Sequence, residues 1–170
     1  MKTFEVITIC LVDKIKNITQ SKWNKLMFFV DGYGASQNNQ FTNFNYIKMP
    51  FGPVPENYSN LLFEMNARDI IKTNKAINGK ISLEKSKNHD KNYKQAMKIL
   101  NSNKALKNAI EYIIKTFKDW TATKLADFSH EFDGWQNPEM YQIINLEAFK
   151  NDSFLKKEFQ ESNFAQVLLK

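Results

Sequence analysis

The chain has 170 residues and a net charge of +6 at neutral pH. Its apolar fraction of 42% and its small numbers of glycines and prolines exclude a low-complexity or linker-like chain. A chain of this length can bury a sizeable core, so we expect one domain over residues 1–170. The one cysteine, Cys10, cannot form an internal disulfide, and we expect it to be a small core residue.

Nothing in the sequence predicts a membrane segment or an exported protein. The N-terminal apolar run, residues 4–12, contains Glu5 and is much shorter than the roughly 20 residues of a membrane-spanning helix. It also lacks a cleavage site of small residues, so it is unlike a signal peptide. We therefore expect a cytoplasmic protein.

Two helices are predicted before residue 40. The first has Glu5 and Asp13 on its polar faces, and its apolar positions are Phe4, Ile7, Leu11 and Ile15. Thr19 can cap the second helix, which we expect to end near Ala35. The buried stripe of this second helix comprises Trp23, Leu26, Met27, Val30 and Tyr33.

A corner rich in proline and glycine follows, and we expect the rest of the chain to pack around it. Residues 42–48 predict a short strand or extended segment, which leads into a turn at Phe51-Gly52-Pro53. Pro55 is suited to the first position of a third helix, since proline needs no hydrogen-bond donor there. We expect that helix to end at Ala67.

The second half predicts a small β-hairpin and then more helices. The hairpin comprises residues 70–73 and 80–83, with Asn78-Gly79 in its turn. Three helices follow, with candidate N-caps at Asp90, at Ser102 or Asn103, and at Thr121. The clearest apolar stripe belongs to the middle one and comprises Leu106, Ala109, Ile110, Ile113, Ile114 and Phe117.

The last part of the chain is less regular. Leu125, Phe128 and Phe132 predict the apolar side of the Thr121 helix, and residues 133–138 predict a turn. Residues 140–146 predict a strand or a short helix, and Ser153 is suited to cap a final helix. These elements indicate a mainly α (α+β) fold: a single compact helical domain with a small β-hairpin.

Basic residues are concentrated between positions 68 and 107. This zone has eleven basic and three acidic side chains, a net charge of +8, so the other 130 residues carry −2. Such a zone can steer an anionic partner, which makes a nucleic-acid-binding regulator the alternative function. Its candidate contacts are Lys72, Lys75, Lys80, Lys85 and Lys87. Nucleic-acid recognition usually depends on arginine, of which the chain has one, so we do not favour this partner.

A hydrolase centred on His130 is the third hypothesis. Asp127 and Glu131 lie within one helical turn of His130, a spacing that a general base with an orienting carboxylate could use. As metal ligands, however, these residues lack further partners, because His89 is the only other histidine and no HExxH or CxxC pattern occurs. A histidine at a helix end more often caps carbonyls or packs on an aromatic ring. We expect neither catalysis nor a metal or cofactor.

Three blocks of residues together resemble one known family. They are Lys25-Leu26-Met27-Phe28-Phe29, then Tyr46 with Phe51-Gly52-Pro53-Val54 and Tyr58, then Leu125-Ala126-Asp127-Phe128-Ser129-His130 with Trp135. Their order is similar to that in the Panacea domain of SocA-like antitoxins and GepA-like phage-associated proteins. The resemblance covers roughly residues 3–137 and leaves 138–170 as a helical extension. The chain departs from the pattern at Tyr46, where tryptophan is usual.

The resemblance implies a protein that binds another protein and catalyses nothing. Members look like antitoxins that neutralise a protein toxin encoded beside them, and one branch delivers its toxin to an ATP-dependent protease. The motif residues that are possible partner contacts are Lys25, Tyr46, Phe51, Gly52, Pro53, Val54, Tyr58, Leu125, His130 and Trp135. A binding site needs aromatic anchors, which the exposed sides of Tyr46, Phe51, Tyr58 and Trp135 could supply. The same aromatics could instead belong to the core.

Overall fold

Helix α1, Thr3–Lys14, lies at the centre of the fold. The computed structural model describes residues 1–151, so the predicted helix after Ser153 lies outside the described residues. In α1, residues 4–12 are all buried, because the helix packs against others on every side. The expectation that Glu5 faces solvent is wrong: its side chain is fully buried and pairs with Arg68. Cys10 is a core residue as predicted, and burial raises the pKa of its thiol to about 12.

Helix α2, Gln20–Ser36, is the second central element. The Thr19 side chain accepts a hydrogen bond from the Lys22 amide, which confirms the predicted cap. Phe28 stands at the centre of an aromatic cluster with ring centroids 5.3–5.9 Å away, formed by Phe29, Tyr46, Phe132 and Phe149. Such tilted and edge-on contacts are favourable between aromatic rings, so this cluster accounts for four of the buried phenylalanines.

The proline corner is a β-hairpin that the sequence analysis did not predict. Strands β2, Tyr46–Met49, and β3, Gly52–Pro55, pair antiparallel, with Tyr46 opposite Pro55 and Met49 opposite Gly52. Pro55 therefore does not start the third helix. Helix α3, Tyr58–Ala67, begins three residues later, after Asn57 adopts a left-handed conformation with φ 59°.

The prolines are tolerated because β3 is an edge strand of this sheet. On its other side, β2 pairs with residues 141–144: Lys48 N donates to Gln142 O, and Ile144 N donates to Tyr46 O. Residues 140–146, predicted as a strand or a short helix, thus form a short bridge to β2. Met140, Tyr141 and Ile143 remain exposed along it.

The predicted second-half hairpin is confirmed and is part of a larger sheet. Strands β4, Ile71–Lys75, and β5, Ile81–Lys85, pair antiparallel around the Asn78-Gly79 turn. A two-residue strand, β1, Ile18–Thr19, pairs with β5 and gives the order β1-β5-β4. This sheet covers one side of α1, against which β5 packs.

Helices complete the described part of the chain, which is mainly α with small antiparallel sheets, as predicted. They are α4 His89–Ser102, α5 Lys104–Phe117, α6 Ala122–His130, α7 Asp133–Gln136 and a 3₁₀ turn Leu146–Lys150. Asn103 and Thr121 cap α5 and α6 as predicted. Asp90 does not cap α4: it lies in the first turn, after Asn88 at the N-cap.

Two boundaries differ near the C-terminal end of the described chain. Phe132 lies between α6 and α7, where it is buried, and not on α6 itself. The predicted turn at 133–138 contains the short helix α7. Among residues 1–151, no helix combines the length and apolar character needed to cross a membrane.

Candidate functional site

The β2–β3 hairpin closes onto α2 and α6 at Gly52. This residue has φ +95°, and a Cβ there would lie 3.0 Å from Lys25 Cε and 3.1 Å from Ser129 Oγ. Only glycine therefore allows the backbone to approach so closely. The hairpin, Lys25 on α2 and the Ser129-His130 end of α6 meet at this point. The three sequence blocks are thus neighbours in the fold.

Lys25 is buried at this junction without a partner. Its side chain is 2% exposed, and it forms no hydrogen bond or ion pair with any residue of the described part of the chain. Burial lowers the pKa of its ammonium group to about 8, because a charge away from water is destabilised. A lysine buried in this way is unusual, since charged residues in protein interiors are nearly always paired.

His130 and Trp135 form a stacked pair beside Lys25. Their ring centroids are 3.8 Å apart with an interplanar angle of 20°, which confirms that the histidine packs on the tryptophan ring. His130 Nε2 and Trp135 Nε1 are both buried, and neither has a hydrogen-bond partner within residues 1–151.

The pKa of His130 lies below its ordinary value. Partial burial of the ring is the main cause. The negative charge of Asp127 opposes this effect, and the positive charges of Lys25 and Lys48 add to it. The imidazole is therefore neutral at pH 7, with one ring nitrogen able to donate and the other able to accept.

Lys48 shows what a buried lysine with partners looks like. Its Nζ donates to the carbonyl oxygens of Gln136 at 3.3 Å and Pro138 at 2.9 Å, and it lies 4.3 Å from the centre of the Trp135 ring. It was not among the residues predicted for the site. Lys48 shares the inner face of β2 with Tyr46, a pattern that becomes readable only when the pairing of the strand is known.

Tyr46 has no exposed side, contrary to expectation. It is fully buried, and its hydroxyl donates to Asp31 Oδ2 at 2.6 Å. Thr42 donates to the same carboxylate through its backbone amide and its hydroxyl. Burial raises the pKa of Asp31 despite these bonds. Tyr46 therefore holds the hairpin against α2 and does not face a partner.

The outer side of the hairpin carries an exposed apolar surface. Ile47 lies between Val54 on β3 and Ile143, so all three share the outer face of the sheet. Four neighbours are exposed by 40% or more: Phe51 81%, Tyr141 66%, Ile143 55% and Met140 40%. We call this surface the hairpin face; it comprises Ile47, Met49, Phe51, Val54, Met140, Tyr141 and Ile143.

The remaining motif residues are mostly structural. Pro53 and Leu125 are buried, and Tyr58 is half-buried against the core. Trp135 is half-buried, with its indole nitrogen turned inward. Of the predicted aromatic anchors, Phe51 is the one that is largely exposed.

The five lysines of the nucleic-acid hypothesis lie on or near the β4–β5 hairpin, away from the site. All five are exposed. Their charge is partly offset, because Lys85 is bonded to Asp13 at 2.8 Å and Lys72 stands opposite Glu84 in the sheet. The exposed face of α4 adds Lys91, Lys94 and Lys98.

The arrangement at His130 does not form a nucleophile and base pair. Ser129 is fully buried, and its hydroxyl donates to the Ala126 carbonyl at 2.6 Å. Within residues 1–151, no group of three or more histidine, cysteine or acidic side chains is placed to hold a metal ion. These contacts favour a role for His130 in packing or binding.

Comparison with known proteins gives one result. The family model described as the Panacea domain of SocA-like antitoxins matches residues 23–136, which is more than half of the chain. No curated protein and no solved structure matches the chain. The matched range begins in α2 and ends in α7, so it contains the hairpin, Lys25, His130 and Trp135. The chain belongs to the SocA-like antitoxin family that carries the Panacea domain.

Proposed function

We propose that this protein is an antitoxin that neutralises a cognate protein toxin in the cytoplasm by binding it directly. The observation that carries the proposal is membership in an antitoxin family over residues 23–136. The fold is consistent with this role, because the hairpin that carries the hairpin face packs on α2 and α6. The close approach at Gly52 and the hydrogen bond from Tyr46 to Asp31 fix the hairpin in this position.

The hairpin face is the surface that we assign to the toxin. Protein interfaces are centred on large apolar side chains, and a few of these residues supply most of the binding energy. Phe51 and Tyr141 are the most exposed aromatic side chains of this face. A partner that covers them would remove from water a surface that this chain leaves open.

Co-expression tests this assignment. The product of the adjacent gene is expressed alone, together with the parent protein, or together with a double variant that carries both Phe51→Ser and Tyr141→Ser. The parent is expected to restore growth and the double variant to lose the rescue, since each lost anchor costs about 2 kcal/mol or more.

Phe63→Ser is the matched control. Phe63 is 72% exposed on α3, outside the hairpin face, so its substitution should leave rescue intact. If the adjacent product is harmless, or if the parent does not rescue growth, the proposed function is wrong. If the Phe63 variant loses rescue and the double variant keeps it, the surface is wrongly assigned.

The antitoxin could also act as an adaptor that delivers the toxin to an ATP-dependent protease, as one branch of similar antitoxins does. If the antitoxin only blocks its toxin, the toxin should persist in cells as a stable complex. If the antitoxin delivers the toxin for degradation, the toxin's half-life should fall when the antitoxin is present and recover when the protease is inactivated. Pulse-chase measurement of the toxin separates the two routes.

A further inference from the structure

The junction beneath the hairpin contains three polar groups without partners. They are the ammonium group of Lys25, Nε2 of His130 and Nε1 of Trp135, and none is hydrogen-bonded within residues 1–151. We call them the Lys25 cluster. Nε2 of His130 and Nε1 of Trp135 are enclosed, and the Lys25 side chain is 2% exposed. Buried polar groups in folded proteins are nearly always bonded, so this junction requires an explanation.

The three groups lie at one place in the fold. The His130 and Trp135 rings are in stacking contact, and the Lys25 side chain lies beside Gly52, next to which Ser129 also packs. The His130 and Trp135 side chains are half-buried, so their rings reach the surface next to the hairpin, although Nε2 and Nε1 themselves are enclosed. Lysine and the indole N–H can only donate, and imidazole donates when its proton is on Nε2. With the His130 proton on Nε2, the group that satisfies all three is an acceptor with negative charge.

Other buried lysines of this chain do not share this property. Lys22, one turn earlier on α2, donates to the Lys118 carbonyl at 2.7 Å, and Lys48 donates to two carbonyls. The fold thus supplies acceptors to these two lysines and leaves Lys25 without one among the described residues. The unbonded ammonium of Lys25 is therefore not a feature that all buried lysines of the described chain share.

We propose that the Lys25 cluster binds a carboxylate of the partner protein, from an acidic side chain or a chain terminus. The inference rests on the proposed function, because it names what the toxin places beside the hairpin face. A carboxylate suits the cluster better than a nucleic-acid backbone. One ammonium and two neutral donors match a single small anion, whereas phosphate backbones bind rows of exposed cations, which in this chain lie on β4–β5 and α4.

The first experiment uses sodium acetate as the probe and the free, full-length protein. The tryptophan indole resonances are followed by ¹⁵N–¹H NMR during titration with acetate, with sodium chloride as the ionic-strength control. Trp135 is expected to shift saturably, while Trp23, which donates to Thr8, stays in place. Lys25→Met should abolish the shift, and Lys22→Met, on the same helix, should leave it unchanged.

A second titration uses inorganic phosphate in place of acetate. Four results would overturn the inference: no shift of Trp135 with acetate, an equal response to chloride, a response that survives in Lys25→Met, and a response to phosphate but not to acetate. The last would point to phosphate ligands and revive the nucleic-acid hypothesis. None of these results depends on the toxin, so they leave the proposed function standing.

The second experiment measures affinity for the toxin by calorimetry. Lys25→Met should weaken binding by about 30-fold or more, because it leaves the toxin carboxylate buried without its counter-charge. Lys22→Met should bind like the parent. If Lys25→Met binds as tightly as the parent, the carboxylate inference fails, whereas failure of the parent itself to bind contradicts the proposed function.

Discussion

Lys25 is a residue that is expected to destabilise the free protein and to strengthen binding of the partner. Its side chain is 2% exposed, burial disfavours its charge, and no described group bonds to the ammonium. A methionine has nearly the same length and no charge. Replacing Lys25 by methionine should therefore stabilise the free protein, even though it weakens binding. Opposite effects on stability and function are typical of binding sites.

The pH dependence of stability tests this explanation. Because the pKa of Lys25 falls from 10.5 in the unfolded chain to about 8 in the fold, the folded state releases its proton first as pH rises. Below pH 8, the buried charge of Lys25 destabilises the parent by its full amount. This destabilisation disappears between pH 8 and 10.5. Relative to Lys25→Met, the parent should therefore gain on the order of 2–3 kcal/mol in unfolding free energy across that range.

Urea unfolding of both proteins at several pH values measures the gain. The comparison between the two proteins is essential, because other groups titrate in the same range. Cys10, with its raised pKa, changes the stability of both equally and in the opposite direction. If the two proteins show the same pH dependence, Lys25 is not buried as a charged group.

At the scale of the secondary-structure element, the packing of the β2–β3 hairpin on α2 and α6 requires glycine at position 52. Gly52 and Gly79 both have positive φ, +95° and +78°, in different hairpins. A Cβ at Gly79 would meet nothing within 4 Å, whereas one at Gly52 would meet Lys25 and Ser129. Gly79→Ala should therefore lose about 1 kcal/mol from backbone strain alone, and Gly52→Ala about 2–4 kcal/mol from strain and crowding together.

Thermal or chemical unfolding of the two alanine variants gives the comparison. The difference between them isolates the close contact of the hairpin with α2 and α6. If the two variants lose equal stability, the hairpin is not held tightly on these helices, and the close approach at Gly52 is not required.

Helix α5 provides a prediction for the core. Ile113 is fully buried on the stripe that faces α2. Ile113→Ala should lower the unfolding free energy by about 2–5 kcal/mol, because it removes apolar contacts and leaves a cavity. Glu111→Ala, at an exposed position of the same helix, should change it by about 0.5 kcal/mol or less. If the Ile113 variant is as stable as the parent, α5 does not pack as described.

At the scale of the whole molecule, local signals predicted the helices and one hairpin. Thr19, Asn103 and Thr121 cap the helices that they were expected to cap, because an N-cap depends on a few neighbouring residues. The Asn78-Gly79 turn lies in the β4–β5 hairpin for the same reason.

Features that depend on distant parts of the chain were not predictable in this way. The β2–β3 hairpin contains two prolines in β3, and β2 gains its second partner from residues 141–144, far along the sequence. Proline normally argues against a strand, and only the position of β3 at the sheet edge permits it. The burial of Lys25 was also missed, since no pattern of neighbouring residues distinguishes it from an ordinary surface lysine.

The sequence motifs grouped residues that prove to be neighbours, but they did not predict the geometry. Lys25, Ala126 and Ser129, from the first and third blocks, lie next to Gly52 of the second. The sequence could not tell that Tyr46, in the predicted extended segment, is core while Phe51, in the turn that follows, is exposed, because both are aromatic residues of one motif. Alternation along β2 becomes readable only when its pairing partners are known.

The most direct measurement is calorimetric titration of the purified protein with the product of its adjacent gene. We predict a saturable complex that is lost when Phe51 and Tyr141 are both replaced by serine and kept when Phe63 is replaced. A parent protein that shows no binding to that product, under conditions in which both are folded, would contradict the proposal that this chain is an antitoxin acting by direct contact.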